Sequence, residues 1–280
     1  MSDAVLTVVP VPQPESRHVA VRFENVTIGF EGNTVLDGVS FELSRGESKI
    51  LLGVSGSGKS TILKLSLGLI KPDSGRILVL GFDITEMSEE QLFNLRRKIG
   101  MVFQESALFD SLTVRDNVSY RLREEHDVDD QEIDRRVREA LRFVELEHTV
   151  DMMPAELSGG MRRRVAIARA IITQPEIVLY DSPTGGLDPV TSTTIIELIV
   201  KQRDFYHTSS LMVTHRLQDA FLLATHVFDP KANRMKRVEQ GANVDLRTTF
   251  LLLRDGKVAF DGMAQELVNS PDPYIQNFIK

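Results

Sequence analysis

Gly53-Val54-Ser55-Gly56-Ser57-Gly58-Lys59-Ser60 is the stretch that decides how this chain reads. It has the form G-x-x-x-x-G-K-S. An apolar run, 49–52, precedes it and a segment of helical periodicity follows, so the glycines occupy a strand–loop–helix junction. Glycines at such a junction let backbone N–H groups close around phosphate oxygens, and the helix start adds partial positive charge. The reading is a cradle for a nucleotide triphosphate, running from Gly53 to Thr61. Lys59 is placed to reach the β- and γ-phosphates and the Ser60 hydroxyl to face Mg²⁺.

Two further stretches carry the argument outward. Ile177-Val178-Leu179-Tyr180-Asp181 is an apolar strand ending in an acid, and ligands of open α/β sheets gather at that strand edge. Asp181 is therefore the expected Mg²⁺-side carboxylate. Leu157-Ser158-Gly159-Gly160-Met161 precedes a helix over 162–171 and forms a second N–H-rich, Ser-capped helix start. One nucleotide does not need two cradles. Both have a use when nucleotides are sandwiched between two copies of the chain.

Composition removes whole classes of function. The 280 residues hold 33 basic and 40 acidic side chains, a net charge of −7, which is a poor footprint for a nucleic-acid binder. With no cysteine, disulfides, thiolate zinc sites, Cys nucleophiles and iron–sulfur clusters are excluded. No apolar run approaches the roughly 18 residues of a membrane-spanning helix. Residues 1–17, with Pro10, Pro12 and Pro14, read as an extended tail without the basic flank of a secretory signal.

Period-2 alternation predicts strands through 19–30, 35–41 and 48–53, then a helix over 60–70 closed by Lys71-Pro72. Ser88-Glu89-Glu90-Gln91 has capping-box form and opens a helix to about 98. The middle third is helical, with Ile133, Val137, Ala140, Leu141 and Val144 on one face. The last third alternates strands and helices, which argues for a largely parallel sheet, and 229–248 reads as a polar surface loop. Arg162-Arg163-Arg164 reads as a solvated helix face, and Met152-Met153 as packing.

Over about 19–260 the chain resembles the ATPases of ATP-binding cassette (ABC) transporters. Gln104 in Met101-Val102-Phe103-Gln104 resembles the Q-loop, Leu157 to Met161 the signature, Gly186-Leu187-Asp188 the D-loop and His215 in Val213-Thr214-His215 the switch histidine. The resemblance implies an α/β P-loop fold with a RecA-like core, an N-terminal antiparallel β layer and an inserted helical subdomain of about 105–165. The cassette would span 18–262, with a C-terminal helical tail over 263–280. It also implies adenine stacking by Phe30, Mg²⁺ ligation by Ser60, Gln104 and Asp181, and a head-to-tail homodimer in which Ser158, Gly159 and Gly160 face the partner's ATP. The text around 103–114, Met161 in the signature and Ser270-Pro271-Asp272-Pro273 resemble the ATPases of MCE-associated (Mla-type) lipid transporters. That narrower likeness implies phospholipid cargo, a multispanning permease, an MCE-domain substrate-binding protein and a peripheral place on the cytoplasmic face of the inner membrane, without nucleic acid. Other readings are an importer of another substrate, a DNA- or ribosome-linked ATPase, or a regulatory ATP binder.

One position departs from the family. Where the family carries a Glu that polarises the attacking water, this chain has Ser182, which is no useful proton acceptor near pH 7. Glu176 stands six residues back, about 20 Å along a strand. His215, Gln104 and the Asp188 of a partner copy remain as candidates. Either hydrolysis is slow or uses one of these, or the site chiefly binds ATP and changes shape.

Overall fold

The computed structural model describes residues 18–125, 128–238 and 247–280. The expected tail over 1–17 lies outside them. The apolar run before the glycine-rich loop is strand β3 (Ser48–Leu52), and all five residues are buried. It sits inside a six-stranded sheet with β6 (Ile99–Val102), β7 (Ile177–Asp181), β8 (Ser209–Val213), β11 (Thr248–Arg254) and β12 (Lys257–Met263), ordered β12-β11-β3-β8-β7-β6. Every pairing is parallel except β11 with β12.

Burial on both faces explains the near-continuous apolar text of the central strands, because their side chains alternate between two cores. Ile50, Leu52, Val178, Tyr180 and Met212 face the helical side. Leu51, Ile177, Leu179, Leu211 and Val213 face a second, antiparallel sheet. That sheet comprises β1 (Val19–Phe30), β2 (Asn33–Ser44), β4 (Ser74–Val79) and β5 (Phe82–Asp83), in the order β2-β1-β4-β5.

Register fixes where the chemistry gathers. Leu51 pairs with Val213, and Val213 with Asp181, while Val102 pairs with Tyr180. The glycine-rich loop, His215, Asp181 and Gln104 therefore leave the sheet at one edge. Glu176 lies at the other, ion-paired with Arg45 and Lys98.

Helix α1 (Lys59–Ser66) ends four residues short of the expected 70. Gly68 stops it at φ +63°, and a Cβ there would lie 2.7 Å from Leu92 Cδ2, so this glycine admits the next helix before Pro72 is reached. That helix, α2 (Glu89–Arg96), begins with the expected capping box: Ser88 Oγ accepts from Gln91 N–H and Gln91 Oε1 from Ser88 N–H. The helical region holds α3 (Val114–Glu125), α4 (Asp130–Phe143) and α5 (Gly159–Ile171), with Asp129 capping α4. After β7 come α6 (Pro189–Tyr206) and α7 (Leu217–Thr225).

The expected loop at 229–248 is corrected in part. β9 (His226–Asp229) and β10 (Arg234–Arg237) form an antiparallel pair, and Met235 N–H donates to Glu197 of α6 at 2.6 Å. A polar strand of four residues, Arg234–Arg237, has no apolar alternation to betray it; residues 239–246 lie outside the described set. The C-terminal helices α8 (Ala264–Val268) and α9 (Pro273–Phe278) bury Leu267 and Ile275 in the main core, and Arg254 lies 4.4 Å over the Tyr274 ring. Among the described residues no helix is long and apolar enough to cross a membrane.

Candidate active site

The glycine-rich loop bends back on itself between β3 and α1. Ser57 N–H donates to the Val54 carbonyl at 3.2 Å. Gly58 ends the loop at φ +93°, and a Cβ there would lie 2.5 Å from Leu36 Cδ2. Only glycine fits that bend and that contact together. Among the described residues no side chain caps the start of α1, which leaves its N–H groups available to an anion. The buried Lys59 ammonium donates to the Gly53 and Val54 carbonyls at 2.9 and 2.7 Å and to Ser57 Oγ at 3.2 Å. Burial lowers its pKa and the nearby Asp181 opposes that shift.

Ser60 Oγ donates to Asp181 Oδ1 at 3.3 Å, joining the loop to the end of β7. Ser182, the next residue, is buried in the left-handed region at φ +48°. Its N–H donates to the Val213 carbonyl at 3.0 Å, and its carbonyl accepts from Gly185 N–H at 2.9 Å. Gln104 follows β6 and lies against Gly185, where an added Cβ would meet Gln104 Cγ at 3.4 Å. His215 sits at the rim. Partial desolvation and then the Lys59 ammonium lower its pKa, against the pull of Asp181, so the imidazole is neutral near pH 7.

That electrostatic arrangement has a measurable sign. The His215 imidazole resonances should titrate below the ordinary histidine value in NMR, and Lys59→Met should move the midpoint up. Because the folded pKa is the lower one, His215 costs stability as pH falls from its unfolded value through the folded value. A midpoint at or above that of an unfolded histidine contradicts the arrangement.

The second cradle is built at the start of α5. Ser158 caps the helix, its Oγ accepting from Met161 N–H at 3.2 Å. A Cβ on Gly160 would come within 2.4 Å of Thr191 Cγ2, so the start of α5 leans on the start of α6. Asp188 caps α6, accepting from the N–H groups of Val190 and Thr191 at 3.0 Å and from the Thr191 hydroxyl. Those bonds, the Thr191 hydroxyl first, hold its carboxyl below the usual range, which makes it a weak proton acceptor. Phe30 ends β1 and is 47% exposed. The structure thus brings Lys59, Ser60, Asp181 and His215 into one electrostatic group and sets Gln104 against Gly185, with Phe30 and the Ser158 cradle at other places on the chain.

Residues 36–185 match the ABC transporter family. The chain is an ABC transporter ATPase. As a cassette of that family it binds and hydrolyses ATP. Over 245 residues it is 34% identical to the intermembrane phospholipid transport system ATP-binding protein MlaF of Escherichia coli K12, covering 88% of this chain and 82% of MlaF. It is 38% identical over 246 residues to the methionine import ATP-binding protein MetN of Bifidobacterium longum, covering 88% of this chain and 59% of MetN. The dimeric, post-hydrolysis cassette MJ0796 bound to ADP and Pi matches with a TM-score of 0.71 and 30% identity, over 87% of this chain and 98% of that one.

The ABC ATPase also holds residues that the sequence reading misplaced. Arg163 is no solvated side chain: it is 4% exposed, and its guanidinium donates to the carbonyls of Phe103, Ser182 and Gly185 at 3.1, 3.2 and 3.4 Å. Arg162 and Arg164 likewise reach the Leu157 and Val144 carbonyls at 2.6 and 3.1 Å. The signal was helical spacing, since Arg163 shares a face with Ala166, Ile167 and Ala170, all core residues. Arg216 was missed as well. It donates to Ser192 Oγ at 2.7 Å and the Leu187 carbonyl at 3.3 Å and pairs with buried Asp219 at 3.4 Å, which accepts from Thr184 at 2.5 Å. The loops of Asp188 and His215 are thereby tied together.

Proposed function

We propose that the chain is the ATP-driven motor of a phospholipid transporter working between membranes. The observation that carries this reading is the likeness to MlaF, which extends over 82% of that protein against 59% of MetN. In this reading two chains close head to tail on two ATP molecules, each between the Gly53–Thr61 cradle of one chain and Ser158, Gly159 and Gly160 of the other. Phe30 stacks on adenine. Lys59 exchanges its own loop carbonyls for phosphate oxygens.

Mg²⁺ fits the donors present. A hydroxyl and a carboxylate 3.3 Å apart at the mouth of the cradle are hard oxygen ligands of the kind that hold it beside nucleotide phosphates. Ser60 and Asp181, with Gln104, would hold the ion, which neutralises phosphate charge when bound. The Ser182 hydroxyl cannot accept a proton from water near pH 7. Neutral His215 is the better-suited group, since Asp188 is committed as a helix cap.

The membrane partner would dock in a groove of about 620 Å³ between β6, α2 and α3. Four of its lining residues are aromatic, Phe93, Phe103, Phe109 and Tyr120, all more than 40% exposed, with the Phe109 and Tyr120 rings 4.7 Å apart, and arginines and glutamates edge it. Such exposure in one groove supports reading it as a protein-binding surface. It suits a helix of a permease, which would hold the chain peripherally at the cytoplasmic face of the membrane, with an MCE-domain protein completing the complex.

Reconstitution with the permease and MCE-domain protein tests the reading. ATP-dependent movement of labelled phospholipid between vesicles is expected, and Phe109→Glu should abolish co-purification with the permease while leaving ATP binding intact. Movement of methionine but not phospholipid, or Phe109→Glu without effect, overturns it.

A further inference from the structure

Arg163 lies on α5, five residues after the signature Ser158, yet all three of its hydrogen-bond acceptors belong to other loops. Phe103 precedes Gln104 in the loop after β6, and Ser182 and Gly185 belong to the loop that joins Asp181 to Asp188. One buried guanidinium therefore holds the backbone of two loops of the site together. Among the described residues its buried Nε has no hydrogen-bond partner, which is costly for a charged donor. Beside it opens a cleft of about 440 Å³ bounded by Gln104, Gly159, Arg162 and Leu187. A buried cation with one unsatisfied donor and room next to it has a second arrangement within reach.

We propose that Arg163 is a positioning residue that couples the two ATP sites of the dimer. The inference rests on the head-to-tail reading above. In that dimer the signature end of α5 contacts the partner's ATP, while Ser182 and Gly185 serve the chain's own. Movement of α5 as Ser158 to Gly160 engage nucleotide is carried by the Arg163 fork to the Ser182 and Gly185 carbonyls of the other site. Arginine suits this task because its planar donors reach several carbonyls at fixed angles, which a lysine ammonium cannot do.

Full-length chain, Arg163→Met and Arg163→Lys would be compared in ATP-dependent dimerisation, in single-site binding of a fluorescent ATP analogue and in hydrogen exchange over 182–188. The unaltered chain should dimerise with a Hill coefficient approaching the two sites available, about 2. Both variants should fall to about 1 with single-site binding kept, and the nucleotide response of exchange over 182–188 should disappear. Arg163→Lys, which keeps the charge, should restore thermal stability without restoring cooperativity; this separates positioning from mere support of the fold. A cooperative Arg163→Lys with the normal exchange response overturns the inference alone. Failure of the unaltered chain to dimerise with ATP overturns the head-to-tail reading and the inference together.

Discussion

Ser182→Glu raises steady-state ATP turnover by about 10²–10⁴-fold in the assembled transporter, the usual contribution of a general base. The backbone makes this a clean replacement. Ser182 already occupies the left-handed region at φ +48°, and its N–H and carbonyl are fixed by Val213, Gly185 and Arg163. Any L residue there meets the same penalty of about 1–2 kcal/mol, so exchanging one for another is nearly neutral for the loop. The added carboxylate adjoins Asp181, and like charges so close repel. Without divalent cation the variant should therefore melt below the unaltered chain, and with MgATP the difference should close. Phosphate release is the assay. If turnover in the complex does not rise while ATP affinity is kept, the serine is not what limits hydrolysis.

Lys59→Met should remove ATP binding. The ammonium makes charge-assisted bonds to two carbonyls and a hydroxyl of its own loop, and charged hydrogen bonds contribute about 1.5–3 kcal/mol each. Two such bonds to phosphate correspond to a loss of roughly 10²–10⁴-fold in affinity. The apo protein suffers too, since the Gly53 and Val54 carbonyls lose their donor inside the loop. Binding of a fluorescent nucleotide and the thermal shift given by MgATP report the two effects separately. Retained affinity with a normal shift would show that the uncapped start of α1 holds the phosphates unaided.

Much of this was legible in the residues. The junction at 49–60 placed the end of β3, the glycine-rich loop and the start of α1, because a buried strand, glycines and a lysine have few other uses in that order. Ser88 announced its helix through side-chain chemistry that operates locally. Long-range effects stayed hidden. α1 stops at Gly68 because Leu92, from another helix, occupies the space beside it. Arg163 looks solvated in a run of three arginines, and only the arrival of carbonyls from 103, 182 and 185 makes burial tolerable. The left-handed turn at Ser182 is likewise imposed by partners from β8 and α5, since nothing in Asp181-Ser182-Pro183 specifies it.

The contact of Gly160 with Thr191 sets two helix starts side by side, and they are treated differently. The carboxylate of Asp188 quenches the positive end of α6, whereas α5 is capped only by the neutral Ser158 hydroxyl. The surface thus carries a small permanent dipole whose bare pole is the signature. In the head-to-tail reading proposed above, the triphosphate of a second chain would meet that pole rather than its neighbour. Each chain nevertheless carries a net charge of −7, so two loaded chains repel at long range, and their rate of meeting should rise with ionic strength over the range where the Debye length shrinks from about 30 to about 8 Å, leaving the local dipole to set orientation.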